Sequence, residues 1–210
     1  MMSRYLGVFI FFLFVCFTGF CQTELTLSEQ QVFKSKVLKR AENTKSIVSD
    51  FKQIKHIDVL NNDIEAEGSM VFKSPNLIRW EYIKPYKTTA IFKNDKLYVN
   101  NEGKKDAIDL TSNKLFKSFN ALIANSIKGN MFDDAQFGIK YFKLVSGYKA
   151  IFEPKDKRLK NYVGSFELLF APDTGDVNEV KLIEPNSDYT KIIFINKRLN
   201  TEVGNAAFKN

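Results

Sequence analysis

The sequence predicts a mainly antiparallel β fold with helices, carried on an exported chain. Three observations lead there. An uncharged, phenylalanine-rich run opens the chain, one amphipathic helix follows, and most later segments are short alternating stretches set off by Pro, Asn, Asp and Gly turns. With 20 phenylalanines among 210 residues, such a sheet has an oily face to bury.

Met1–Tyr5 carries one positive charge, Arg4, and the fifteen residues Leu6–Phe20 carry none. That run suits a signal-peptide core and falls short of the roughly 20 residues that span a bilayer. Gly19 and Cys21 are small residues correctly spaced for a cut after Cys21, giving a signal peptide over 1–21 and a single domain over 22–210. Two other readings stay open. Cys21 as a lipidated first residue is disfavoured by the bulky Phe20 before it, and an uncleaved membrane anchor is the third. Cys16 and Cys21 both fall in this segment, so the exported part holds no thiol. Disulfides, thiolate ligands and thiol catalysis are excluded there, and a core has to hold the domain.

Ser28-Glu-Gln-Gln31 reads as a capping box, and apolar residues from Val32 to Phe51 at helical spacing predict a helix over 28–50. From Phe51 the period shortens toward two. Ile64, Ala66, Gly68, Met70 and Phe72 share one face of a half-buried strand, opposite Asp63, Glu65, Glu67 and Ser69. Pro75-Asn76 turns the chain into Leu77–Tyr82, and Thr88–Lys93 and Leu97–Asn100 form a hairpin about Asn94-Asp95-Lys96. Asn101–Asp106 is a charged turn before a short strand over 107–110. Leu115, Phe116, Phe119, Leu122, Ile123 and Ile127 then predict one broken or two short helices within 112–128. Strands are expected over 139–145, 148–153, 162–170, 177–184 and 189–195, between turns containing Gly or Pro. About ten antiparallel strands result. A sheet this long must curl or close, and the apolar helix faces must pack on it.

The net charge is +7, or +6 once Arg4 is removed, with lysines spread along the chain. That fits a solvated cationic surface or an anionic lipid or acidic partner, not a nucleic-acid groove. Catalytic chemistry finds little support. The one histidine, His56, lacks a Gly-x-Ser-x-Gly elbow and reads as a surface or strand-edge residue. Asp133-Asp134 and Glu65/Glu67 do not suggest opposed carboxylates across a cleft. Asp173-Thr174-Gly175-Asp176 reads as a hairpin turn, lacking the spaced ligands of a calcium loop. No catalytic residue, metal or cofactor is expected. Arg79 alternates with Trp80 and Tyr82; it lies either on the exterior with Glu81 or at a cavity mouth, where it would grip a carbonyl or carboxylate.

The stretch from Phe72 through Lys73, Ser74, Pro75, Asn76 and Leu77-Ile78-Arg79-Trp80-Glu81-Tyr82, then Pro85 and Ile91–Val99, resembles the outer-membrane lipoprotein carrier family, LolA. Phe51-Lys52-Gln53 resembles the family's Phe-x-Gln element, Phe119–Ile127 its lid helices, and Asn205-Ala206-Ala207-Phe208 its terminal Ala-x-Phe. The resemblance implies an unclosed, curved β-barrel of about ten or eleven strands, covered by a long N-terminal helix and short mid-chain lid helices. It implies a monomeric carrier in the periplasm of a Gram-negative bacterium, soluble after signal cleavage. Such a carrier takes acylated lipoproteins from an inner-membrane release complex and hands them to an outer-membrane acceptor. The alternative is a sensor or export accessory protein binding lipid or another amphiphile on the same scaffold.

In the family an arginine precedes the proline of the Pro-Asn turn and helps hold the lid; here Ser74 stands there. The expected lid or mouth residues are therefore Lys73, Ser74 and Arg79. The expected acyl-binding wall comprises Met70, Phe72, Trp80, Tyr82 and Ile91 on the sheet, Val37 and Leu38 on the first helix, and Phe116, Phe119, Leu122 and Ile123 on the lid. Plain core packing is the competing reading for each.

Overall fold

The computed structural model describes residues 22–94, 96–109 and 131–209. The signal peptide expected over 1–21 and the lid helices over 112–128, with Phe116, Phe119, Leu122 and Ile123, lie outside the described residues.

Helix α1 spans Leu27–Glu42 and is capped at Thr26, not at Ser28. Thr26 Oγ1 accepts from the Glu29 N–H at 3.4 Å, and Glu29 Oε2 accepts from the Thr26 N–H at 2.9 Å. The helix stops eight residues before the expected position 50. Asn43 caps it through its N–H, and the Thr44 hydroxyl donates to Arg40 O at 2.7 Å. Ile47 and Val48, which extend the helical spacing on paper, are β-branched neighbours in a strand and lie on opposite faces.

Twelve strands form one antiparallel sheet: β1 (Thr23–Glu24), β2 (Ser46–His56), β3 (Ile64–Lys73), β4 (Leu77–Lys84), β5 (Thr88–Lys93), β6 (Lys96–Asn101), β7 (Lys104–Asp109), β8 (Phe137–Leu144), β9 (Gly147–Pro154), β10 (Ser165–Phe170), β11 (Val177–Ile183) and β12 (Tyr189–Leu199). Their order is β1-β8-β9-β10-β11-β12-β2-β3-β4-β5-β6-β7. The two edges, β1 and β7, do not pair with each other, so the sheet is not a closed barrel. A four-residue helix, α2 (Lys157–Lys160), and a 3-10 turn at Asn205–Phe208 complete the described elements.

Strand parity divides the residues between two faces. On the inner face lie Ile47, Phe51 and Gln53 of β2, Met70 and Phe72 of β3, and Ile78, Trp80 and Tyr82 of β4, linked by cross-strand pairs such as Met70 with Trp80. Gly68 is required among them: a Cβ there would overlap the Glu81 carbonyl oxygen and the Phe51 ring. Phe51 uses that space to stack on Trp80, centroids 4.2 Å apart.

Two apolar clusters result. Under α1, Phe33 meets Tyr148 and Phe170, each at a centroid distance of 5.0 Å, and is joined by Tyr141, Phe152, Phe166 and Leu168 of β8–β10. Farther along, Phe51, Met70, Phe72 and Ile78 form a second cluster whose neighbours Trp80, Tyr82, Phe92, Ile192 and Phe194 stay half-buried.

Candidate functional site

Between these clusters the inner face encloses a cavity of about 470 Å³, within the range of small-molecule sites. Phe166 and Leu168 of β10 line it from one side, Ala90 and Phe92 of β5 from the other. Six inter-strand steps separate β10 from β5; in a flat sheet, at roughly 4.8 Å each, they would hold those side chains about 29 Å apart. The sheet therefore curls around the cavity. α1 closes one side with Val37, Arg40 and Ala41.

The wall is overwhelmingly apolar, and its polar groups sit at its two ends. At the end near the β2–β3 turn, the Tyr82 hydroxyl donates to Gln53 Oε1 at 2.7 Å, and burial pushes the Tyr82 phenol above its ordinary pKa. At the other end Arg40 grips Asp176 in a fork, Nε to Oδ1 at 2.7 Å and Nη2 to Oδ2 at 2.8 Å. Burial alone would raise the Asp176 carboxyl. Hydrogen bonds from Arg40 and Thr174, with the charges of Arg40 and Lys197, outweigh it and hold the group below the usual carboxylate range. Gly175, at φ +74°, turns this loop against Lys36 and Val37 of the helix. Lys197 stands beside the pair. Its ammonium donates to Val177 O at 2.8 Å and Asn178 Oδ1 at 2.6 Å, and burial lowers its pKa.

Of the residues the sequence singles out, Val37, Met70, Trp80 and Tyr82 line the cavity. Phe72 shares their face, fully buried beside Ile78 rather than on the cavity wall. Leu38, Ile91, Lys73 and Ser74 also lie off the cavity wall, and Arg79 takes the exterior placement with Glu81, one of the two the sequence leaves open. Leu38 is 39% exposed where Val37 is 3%, because adjacent helix residues point about 100° apart and only one can face the sheet. Ile91 is buried on the outer face: it pairs with Arg79, and Arg79 Nη1 donates to Ala207 O in the C-terminal turn. Arg79 also bonds Glu81, and Lys73 Nζ donates to Val203 O and Asn205 Oδ1, so both cations hold the C-terminal segment against the outer face. Ser74 is exposed in the β3–β4 turn, its N–H donating to Lys45 O. His56 lies at the far end of β2, stacked on Tyr189, with Nδ1 2.7 Å from Asp63 Oδ1.

Lys197 and Arg40 line the cavity without being singled out by the sequence. β12 puts Thr190, Ile192 and Phe194 inward, so Asn196 would come next; a bulge between Ile195 and Arg198 turns Lys197 inward instead. Asn196 adopts the left-handed conformation at φ +54°, which Asn tolerates better than most residues, so its residue type is the sign the sequence offers.

The family sequence model described as "Outer membrane lipoprotein carrier protein LolA" matches residues 42–210. The chain belongs to the LolA family. Membership makes it a periplasmic protein of a carrier family, not an enzyme family. No curated protein matches it in sequence. Among solved structures, an uncharacterized conserved protein from Thermus thermophilus aligns with a TM-score of 0.54 and 9% identity, over 86% of this chain and 93% of its own. The lipoprotein LppX of Mycobacterium tuberculosis aligns with a TM-score of 0.50 and 9% identity, over 85% and 99%. A LolA superfamily protein from Nitrosomonas europaea gives 0.46 and 7%, over 86% and 97%. The first two share the LolA-like fold of this chain. Among the described residues no helix is long and apolar enough to cross a membrane, and no cluster of His, Cys, Asp and Glu could hold a metal.

Proposed function

We propose that this LolA family member is a periplasmic carrier whose cavity shelters the acyl chains of lipoproteins on their way from the inner to the outer membrane. The observation that carries this reading is the cavity itself, whose wall from Ile47 to Phe194 is overwhelmingly apolar. Each acyl CH₂ moved from water into such a wall gains about 0.8 kcal/mol, so a sheltered chain stays in solution without a covalent step. A cavity opened by small movements of its cover yields that chain to a more apolar acceptor. The proposal includes a signal peptide over 1–21, one soluble carrier domain over 22–210, a releasing complex in the inner membrane and an acceptor in the outer. Val37, Met70, Trp80 and Tyr82 are the proposed contacts.

The test is release of an acylated lipoprotein from inner-membrane vesicles by purified protein. A soluble 1:1 complex supports the proposal; no release, where a working LolA family carrier releases cargo, overturns it. A second reading, binding of a free lipid on the same scaffold, is favoured by the ionic group at one end of the cavity.

A further inference from the structure

Among the described residues three charged side chains face the cavity, Arg40, Asp176 and Lys197, and all three sit at the same end. They do not balance. Arg40 and Asp176 neutralise one another and tie α1 to the β10–β11 turn, which leaves Lys197 as one excess positive charge among the described residues that line the chamber. The position is built. Ser49, buried on β2, donates through Oγ to Ile195 O at 2.8 Å, and Asn196 Nδ2 donates to Asp50 Oδ2 at 2.9 Å. These two bonds pin the bulge that turns Lys197 inward from a strand whose ordinary alternation would face it out. Two of the three ammonium donors are occupied by Val177 O and Asn178 Oδ1, leaving one. The Arg40 guanidinium also keeps donors beyond the two its fork uses.

We propose that the cavity takes an amphiphile with an anionic headgroup, a carboxylate or phosphate, seated against Lys197 and Arg40 with its hydrocarbon tail running toward Tyr82 and Gln53. The inference rests on the second reading above, a free lipid bound on the same scaffold, and names its ligand class. On β2 the wall from Ile47 to Gln53 covers six residue steps, about 20 Å at roughly 3.3 Å each, the reach of a long-chain fatty acyl group. Burial already depresses the Lys197 pKa, and an anion at its free donor relieves that cost by pairing the charge. An acyl group held only through ester or amide links brings no such charge and leaves the cation unmatched.

The test compares a long-chain fatty acid with its methyl ester, by displacement of a fluorescent acyl probe from the mature protein. We expect the acid to bind at least about tenfold tighter, an alkyl phosphate to match it, and inorganic phosphate alone not to displace the probe. Lys197→Met brings the acid-to-ester ratio to about one, and Lys197→Arg restores it. Equal affinity of acid and ester for the wild-type protein, a measurement that needs no variant, overturns the anionic-headgroup proposal and leaves the carrier reading standing. Displacement by inorganic phosphate assigns the site to the free ion and overturns the lipid assignment. Binding of neither amphiphile overturns both readings.

Discussion

The β8–β10 region and the β2–β5 region of this sheet have equally apolar inner faces and different fates. Over β8–β10, α1 supplies a cover, and Phe33 fills the space with Tyr148, Phe170 and Tyr141 until Phe152 and Phe170 are each 1% exposed. Over β2–β5 the helix reaches no farther than the rim, and Trp80, Tyr82 and Phe92 remain half-buried around open volume. Alternation makes both faces; among the described residues, packing by α1 turns one into a core, while the other lines a chamber.

The largest effect that separates the two comes from truncating Phe33. Phe33→Ala removes ring contacts with Phe132, Tyr141, Tyr148 and Phe170 and is expected to cost about 3–5 kcal/mol in urea unfolding. Trp80→Ala deletes a larger ring but one only partly buried at the cavity wall, so its stability loss should be smaller. Affinity for an acyl probe should nevertheless drop at least about tenfold, since Trp80 contributes wall area to the chamber. If Phe33→Ala weakens probe binding more than Trp80→Ala, with both folded, the division of labour is reversed.

The same substitution placed in each region sharpens the contrast. Ala150→Phe forces a ring into a site with 0% exposure and should destabilise by at least about 1–3 kcal/mol. Ala41→Phe points from α1 into the 470 Å³ cavity, where volume exists, and should be close to neutral in thermal melts while blocking probe entry.

How far the sequence revealed this arrangement depended on how local each cause was. β3 alternates so cleanly, Ala66, Gly68, Met70, Phe72, that its inner face was readable outright, and with it the partners Trp80 and Tyr82. The LolA resemblance and the open sheet followed from such segments in order. β5 defeats the same reasoning because Ala90, Ile91 and Phe92 are all apolar; Ile91 is buried on the outer face beside Arg79 of β4, which itself bonds Ala207 more than a hundred residues away in sequence. Lys73 bonds the same distant segment, a partner that no local pattern announces. Lys197 was hidden by a one-residue bulge that inverts parity. The helical spacing runs on past the true end of α1 because Ile47 and Val48 satisfy both periods.

A smaller effect distinguishes the ionic end of the cavity from its apolar length. Asp176 has a depressed pKa in the folded protein, so its ionised form contributes stability above the unfolded-state value of about 3.9, and that contribution is lost as pH falls through the folded value. Wild-type protein should lose more stability than Asp176→Asn between pH 6 and 3. The difference is expected to be about 1 kcal/mol, because solvent screens Arg40. Urea midpoints across that range read it directly, and parallel curves for the two proteins would remove Asp176 from the account.

The smallest effect tests how dry the packed region is. Tyr141 is 2% exposed, and its hydroxyl has no hydrogen-bond partner among the described residues. Burial accordingly pushes its phenol well above the ordinary range, with Asp134 adding to the shift. A buried hydroxyl that bonds nothing costs free energy that its ring does not need to incur. Tyr141→Phe keeps the edge contact with Phe33 and the tilted contact with Phe132 while deleting the unsatisfied oxygen. The variant should therefore melt slightly higher, by a stabilisation of up to about 1 kcal/mol. The analogous Tyr82→Phe loses a made bond to Gln53 and should melt lower, so opposite signs for one chemical change would mark the two regions as core and chamber. A fall in stability for both would mean that water or a polar group reaches Tyr141, and the region under α1 would then have to be redrawn as part of the cavity.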